Sequence, residues 1–134
     1  MSEAFNGRWT YRSFRSNPDI EAPFDQLEFG RANLVISESA DGEVGGTIGS
    51  TGWSLNVTGT VTSGDPSSIR FTGSGQIGGE NWVYDYLGFL VPPWPNGIDQ
   101  RPAIVGTIVR TVPHSNGDAA AGVVAQWIAE KQNN

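Results

Sequence analysis

The chain has no cysteine and a single histidine, His114, among its 134 residues. Lack of cysteine excludes a disulfide framework, a thiolate metal site and a cysteine nucleophile. One imidazole is too few for a multi-histidine zinc site, so neither a metal nor a cofactor is expected. Basic residues are also scarce. Against 14 Asp and Glu there are 8 Lys and Arg, for a net charge of −6, which repels phosphate backbones and anionic lipid. Nucleic acid and membrane surfaces are therefore not expected partners. No stretch approaches the ~18 consecutive apolar residues of a membrane-spanning helix. The opening MSEAFNGRWT has no basic segment leading into an apolar one, and a cytoplasmic location is the expectation. The nucleophile elbow G-x-S-x-G, the P-loop and H-E-x-x-H are all missing, so the chemistries they anchor lack a starting point.

Glycine is abundant, at 18 residues. The glycines punctuate short runs rich in Val, Ile, Thr, Trp, Tyr and Phe, the composition of many strands joined by turns. The runs are 5–15, 24–37, 43–50, 52–62, 67–77, 80–91, 102–112 and 121–131. Between them stand turn formers such as Asn17-Pro18-Asp19, Asp41-Gly42, Gly78-Gly79 and Ser115-Asn116-Gly117-Asp118, which tolerate or pre-set turn dihedrals. Strands joined by tight turns are antiparallel neighbours. The length suits one domain over residues 1–134, because two cores of about 65 residues would each bury little apolar surface.

Alternation is cleanest where Trp53, Leu55, Val57 and Val61 interleave with Ser54, Asn56, Thr58 and Thr60, giving one dry and one polar face. In the second run Leu27 and Phe29 take one parity and Ala32, Leu34 and Ile36 the other, with Gly30 at the switch. A β-bulge there restores a single apolar face. The last run reads as a strand, with a capped helix after Asp118 as the alternative, since Val123/Trp127 and Val124/Ile128 stand at i,i+4. Eight up-and-down strands are too many for one flat sheet, and closing them into a barrel removes both edges. The fold class is thus all-β, an eight-stranded antiparallel up-and-down β-barrel. A two-sheet sandwich is the alternative, but it needs long crossovers and only 92–101 is long enough to be one.

Three short motifs carry a family resemblance. Gly7-Arg8-Trp9-Thr10 lies in the first strand, Gly42-Glu43-Val44-Gly45-Gly46-Thr47-Ile48-Gly49-Ser50 in the third, and Val105-Gly106-Thr107-Ile108-Val109-Arg110 in the seventh. Together they resemble the calycin superfamily, and within it the avidin/streptavidin family. The resemblance implies an up-and-down barrel with a ligand site in its open mouth, and often a tetramer. It also implies that Trp9 plugs the closed end under a stacked cation, for which Arg110 and Lys131 are the candidates. Biotin is not carried over. Trp9 is followed by Thr10, Tyr11, Arg12, Ser13 and Phe14, where the avidins place the Asn and Ser that hold the ureido group.

The richest segment is Asn81-Trp82-Val83-Tyr84-Asp85-Tyr86-Leu87-Gly88-Phe89. Strand alternation puts Trp82, Tyr84, Tyr86 and Gly88 on one face, three rings with polar tips beside a gap. Such a face suits a small-ligand pocket, although a packed interior or a subunit interface uses the same residue types. Tyr11, Trp53 and Arg110 join the candidate ligand-binding set. So does Trp94, in the stiff loop Pro92-Pro93-Trp94-Pro95, read as a rim or lid of the mouth. His114 follows Pro113 in a turn, where it is either a solvated loop histidine or an acid–base group at the rim.

Other features carry less. Asp85 points away from the rings, and Asp25 and Glu28 stand at opposite parity and form no carboxylate pair. Gly73-Ser74-Gly75-Gln76-Ile77-Gly78 matches G-x-G-x-x-G, but a strand follows it where a dinucleotide site needs a helix. Two functions lead, with a purely structural role as an interaction barrel also open. One is a barrel binding a small apolar or aromatic molecule at an aromatic mouth. The other is a cofactor-independent isomerase, cyclase or lyase built on Tyr84, Tyr86, His114 and Arg110. Because Val83, Leu87 and Phe89 oppose Trp82, Tyr84 and Leu90 on the sixth run, one set needs outside cover, and a homo-oligomer is expected.

Overall fold

A computed structural model describes residues 4–132. The remainder of the opening segment and the last two residues lie outside that range. Eight antiparallel strands follow in order and close into a barrel: β1 (Gly7–Arg15), β2 (Glu28–Glu38), β3 (Glu43–Ser50), β4 (Trp53–Thr62), β5 (Ser68–Ile77), β6 (Glu80–Leu90), β7 (Ala103–Arg110) and β8 (Val124–Lys131). Each strand pairs with the next in sequence, and β8 returns to β1 through the register Trp9↔Lys131 to Arg15↔Ala125. No sheet edge is left open. Among the described residues no helix is long and apolar enough to cross a membrane.

The eighth run is a strand and not a helix. Ala125, Trp127 and Ala129 are buried and alternate with the outward Val124, Gln126, Ile128 and Glu130, and the backbone bonds that a helix would satisfy internally instead close the barrel. The second run needs a boundary correction. Phe24–Gln26 is a 3-10 turn and the strand begins at Glu28. The bulge expected at Gly30 is present: Ser13 pairs with Gly30 but Phe14 pairs with Glu28. Phe29 is thus the extra residue, and its ring packs against the core together with those of the opposite parity.

The interior is built in layers. At one end Trp9 and Phe5 are fully buried, and Trp9 Nε1 donates to the Phe5 carbonyl oxygen at 3.0 Å. Lys131 Nζ lies 5.8 Å from the Trp9 ring centroid, so Lys131 is the stacked cation there; Arg110 stands at the opposite end of the barrel. In the middle Phe71 and Tyr86 stack at 4.4 Å, Trp127 meets both and Tyr11 meets Tyr86 at 6.1 Å, and Tyr11 and Trp127 lie 5.6 Å apart. These four rings block the bore. Gly88 does not leave a gap for a ligand: a Cβ there would lie 2.7 Å from Ile104 and from Trp127, so the missing side chain is what lets the Trp127 indole fill that space.

Outside, Phe89 pairs with Val105 and Val105 with Ile128. This row of three apolar side chains on adjacent strands stays 39 to 44% exposed.

Candidate functional site

Above the four-ring plug the barrel opens into a cup of about 280 Å³. Its wall comes from β1, β2, β3, β4, β6 and β7, with His114 added from the loop after β7. Tyr11, Trp53, Trp82, Tyr84, Tyr86, Arg110 and His114 all line this one cavity, so it gathers seven of the eight residues singled out in the sequence. The face shared by Trp82, Tyr84 and Tyr86 points inward. Its parts differ, because Tyr86 belongs to the plug below while Tyr84 and the half-buried Trp82 rise above it.

Trp94 is the residue not brought there. In an up-and-down barrel alternate connections lie at opposite ends, so the β6–β7 loop sits at the closed end. Trp94 is 74% exposed and lines a separate groove with Pro92, Pro93, Arg101 and Lys131. A lid role for 92–97 over the mouth is thereby corrected.

His114 also departs from the solvated-loop reading, being only 4% exposed. Its imidazole lies flat on the Trp82 indole, with centroids 3.6 Å apart. Nε2 is 2.9 Å from the Tyr84 hydroxyl and Nδ1 is 3.0 Å from Ser115 Oγ. The loop that delivers it turns sharply through Ser115 and Asn116, both at positive φ. Glu80 holds that turn, its carboxylate accepting from the Ser115 and Asn116 backbone N–H groups at 3.1 and 3.2 Å. Backbone bonds between His114 and Ala119 close the loop behind it.

Arg110 can only donate, and its Nε donates to the Tyr84 hydroxyl at 3.2 Å. That hydroxyl meets His114 Nε2 and His114 Nδ1 meets Ser115 Oγ, so Arg110, Tyr84, His114 and Ser115 form one hydrogen-bonded chain, whose direction at the imidazole depends on its tautomer. Burial holds the His114 pKa below its ordinary value, the Arg110 charge lowers it further, and Glu80 opposes both. Arg110 is itself fixed by the Ala120 carbonyl at 3.3 Å and by the faces of Phe29 and Tyr84, at 5.3 and 5.7 Å.

At the floor, burial pushes the phenols of Tyr11 and Tyr86 well up, so both stay protonated. The Ser13 hydroxyl lies close enough to Tyr11 to oppose part of that rise. Its hydrogen bond, however, goes to the Gly30 carbonyl at 3.4 Å, and the buried Tyr11 hydroxyl has no hydrogen-bond partner.

The structure adds residues that were not singled out for the site, chiefly Arg15, Phe29 and Arg31. Arg15 continues the inward parity of Trp9, Tyr11 and Ser13, so alternation alone points to it. Phe29 is inward only because of the bulge. Among the described residues no cluster of three or more His, Cys, Asp or Glu could hold a metal ion. No protein-family model matches the chain, and no curated protein matches it. The calycin and avidin likeness therefore rests on the three quoted motifs.

Proposed function

We propose that this barrel is a binding module for a small, largely aromatic molecule held in the mouth cup. The observation that carries the reading is the cup itself, about 280 Å³ walled by rings and floored by a sealed aromatic plug. A few fixed polar groups within apolar walls are the general form of a small-molecule site. Here the rings of Trp53, Trp82 and Phe29 supply contact area, while Arg110, Tyr84 and His114 are held in place before any ligand arrives, which lowers the ordering cost of binding.

Calorimetric titration with the flat probe 2-naphthoate tests this. One-to-one saturable binding that weakens in Trp53→Ala supports the reading, and no heat at millimolar probe contradicts it. We further propose that a second copy covers the row Phe89, Val105 and Ile128, so that sedimentation at micromolar concentration gives a species larger than 14.3 kDa. A monomer would oppose that part alone.

One observation favours the enzyme reading as a second choice: the Tyr84 hydroxyl stands between a cation and a neutral imidazole, a geometry suited to moving a proton. Conversion of a bound aromatic ligand without added cofactor, lost in Tyr84→Phe, would select it. Binding without conversion would leave the module.

A further inference from the structure

We infer that the cup selects an aromatic ligand bearing a carboxylate, with the anionic end received by Arg110 and Arg15 at the rim and the ring directed down toward Tyr86. The inference deepens the binding reading above and rests on it.

The first ground is charge. Although the chain carries −6 overall, the residues that line the cup include Arg15, Arg31 and Arg110 and no Asp or Glu. Arg31 is already neutralised by Glu28, 2.8 Å away, the one ion pair among the described residues. Arg15 and Arg110 have none. Asp118 shares a rim groove with those two arginines but reaches neither within ion-pair distance, and the Glu80 carboxylate, whose charge acts on His114, is engaged by the Ser115 and Asn116 backbone N–H groups and pairs with neither arginine. No compensating negative charge comes from below, since burial keeps the Tyr11 and Tyr86 phenols protonated. His114 adds none either.

The second ground is geometry. The Arg110 side chain is only part-exposed, and its contacts leave donors over. Nε is used on Tyr84 and Nη1 on the Ala120 carbonyl, while the plane lies over the Phe29 ring. A guanidinium has five N–H donors, so the remaining ones are available to a carboxylate, whose two oxygens match the fork. Arg110, Arg15 and Phe29 line both the cup and the adjoining rim groove, so the cationic pair lies where the two meet. A ligand ring below that point meets Phe29 and Trp82, and its anion meets the arginines. Fixed donors that lack a counter-ion favour a charged partner over a neutral one of the same shape.

The test compares 2-naphthoate with its neutral isostere 2-naphthamide on the full chain. The acid is expected to bind at least ~10-fold more tightly, equivalent to about 1.4 kcal/mol, with the gap shrinking as salt is raised. In Arg110→Gln the two probes should become equal through loss of the acid's advantage. Arg15→Gln, at a solvent-exposed strand end, should narrow the gap and serves as the readout if Arg110→Gln does not fold. Equal binding of acid and amide to the unaltered protein would overturn the inference while leaving the binding module standing. Binding of neither probe would overturn the module itself.

Discussion

The imidazole of His114 lies against the indole of Trp82 with the two planes 6° from parallel. A loop residue and a strand residue thus form one stacked wall, and the Tyr84 hydroxyl fixes that wall in the plane of the imidazole. This contact turns the loop after β7 from a simple connection into part of the cup. It also buries a titratable group that is neutral in the native state.

The first prediction concerns pH. With its folded pKa held below the ordinary 6.5, His114 binds a proton more readily in the unfolded chain than in the folded one. Stability is then greatest above about pH 6.5 and declines as pH falls through the folded pKa. As the chain's only histidine, its imidazole gives an unambiguous NMR titration. A midpoint below 6.5 is expected, and His114→Gln should flatten the dependence of unfolding free energy on pH between about 5 and 7. A midpoint at or above 6.5 would oppose the buried neutral imidazole.

Tyr84→Phe removes the hydroxyl that links Arg110 to His114 and leaves Nε2 without its hydrogen-bond partner. The barrel should still form, since the ring itself remains. A loss of about 1–3 kcal/mol is expected from urea unfolding, typical of a buried polar group left unpaired. No change in the unfolding midpoint would contradict the linkage of Arg110 to His114 through Tyr84.

Gly88→Ala places a methyl 2.7 Å from both Ile104 and Trp127. Displacing the indole loosens its Nε1 bond to the Thr107 carbonyl, now 2.9 Å. The expected cost is about 1–3 kcal/mol, as for overpacking, with a changed near-ultraviolet circular dichroism spectrum. A neutral substitution would mean that Trp127 does not depend on the glycine.

Most of the barrel was legible in the sequence because a half-buried strand writes its environment in period two. Trp53 to Val61, the Gly30 parity switch and the Trp82 to Gly88 face each led to the observed placement. The last run was ambiguous since Ala, Val and Trp at 121–131 fit either period, and only closure onto β1 decides between them. Gly88 was misread because alternation gives the direction of a vacant position but not the long side chain that fills it from β8. His114 and Trp94 depended on which end of the barrel each loop serves and on Glu80 bracing a turn more than thirty residues away, relationships that no local pattern records.

Trp94→Ala follows from that correction. At the closed end, well exposed and remote from the cup, it should alter stability by no more than about 0.5 kcal/mol and leave naphthoate affinity unchanged. A large loss of affinity would return the 92–97 loop to the site.

The central claim, that the mouth cup is where a small aromatic molecule binds, is tested most directly by the five indole N–H resonances of a nitrogen-labelled sample titrated with 2-naphthoate. The indoles of Trp82 and Trp53 should shift saturably together with the His114 imidazole, while those of Trp9 and Trp94 at the far end stay in place. Shifts confined to Trp94, or none at all at millimolar probe, would contradict the account.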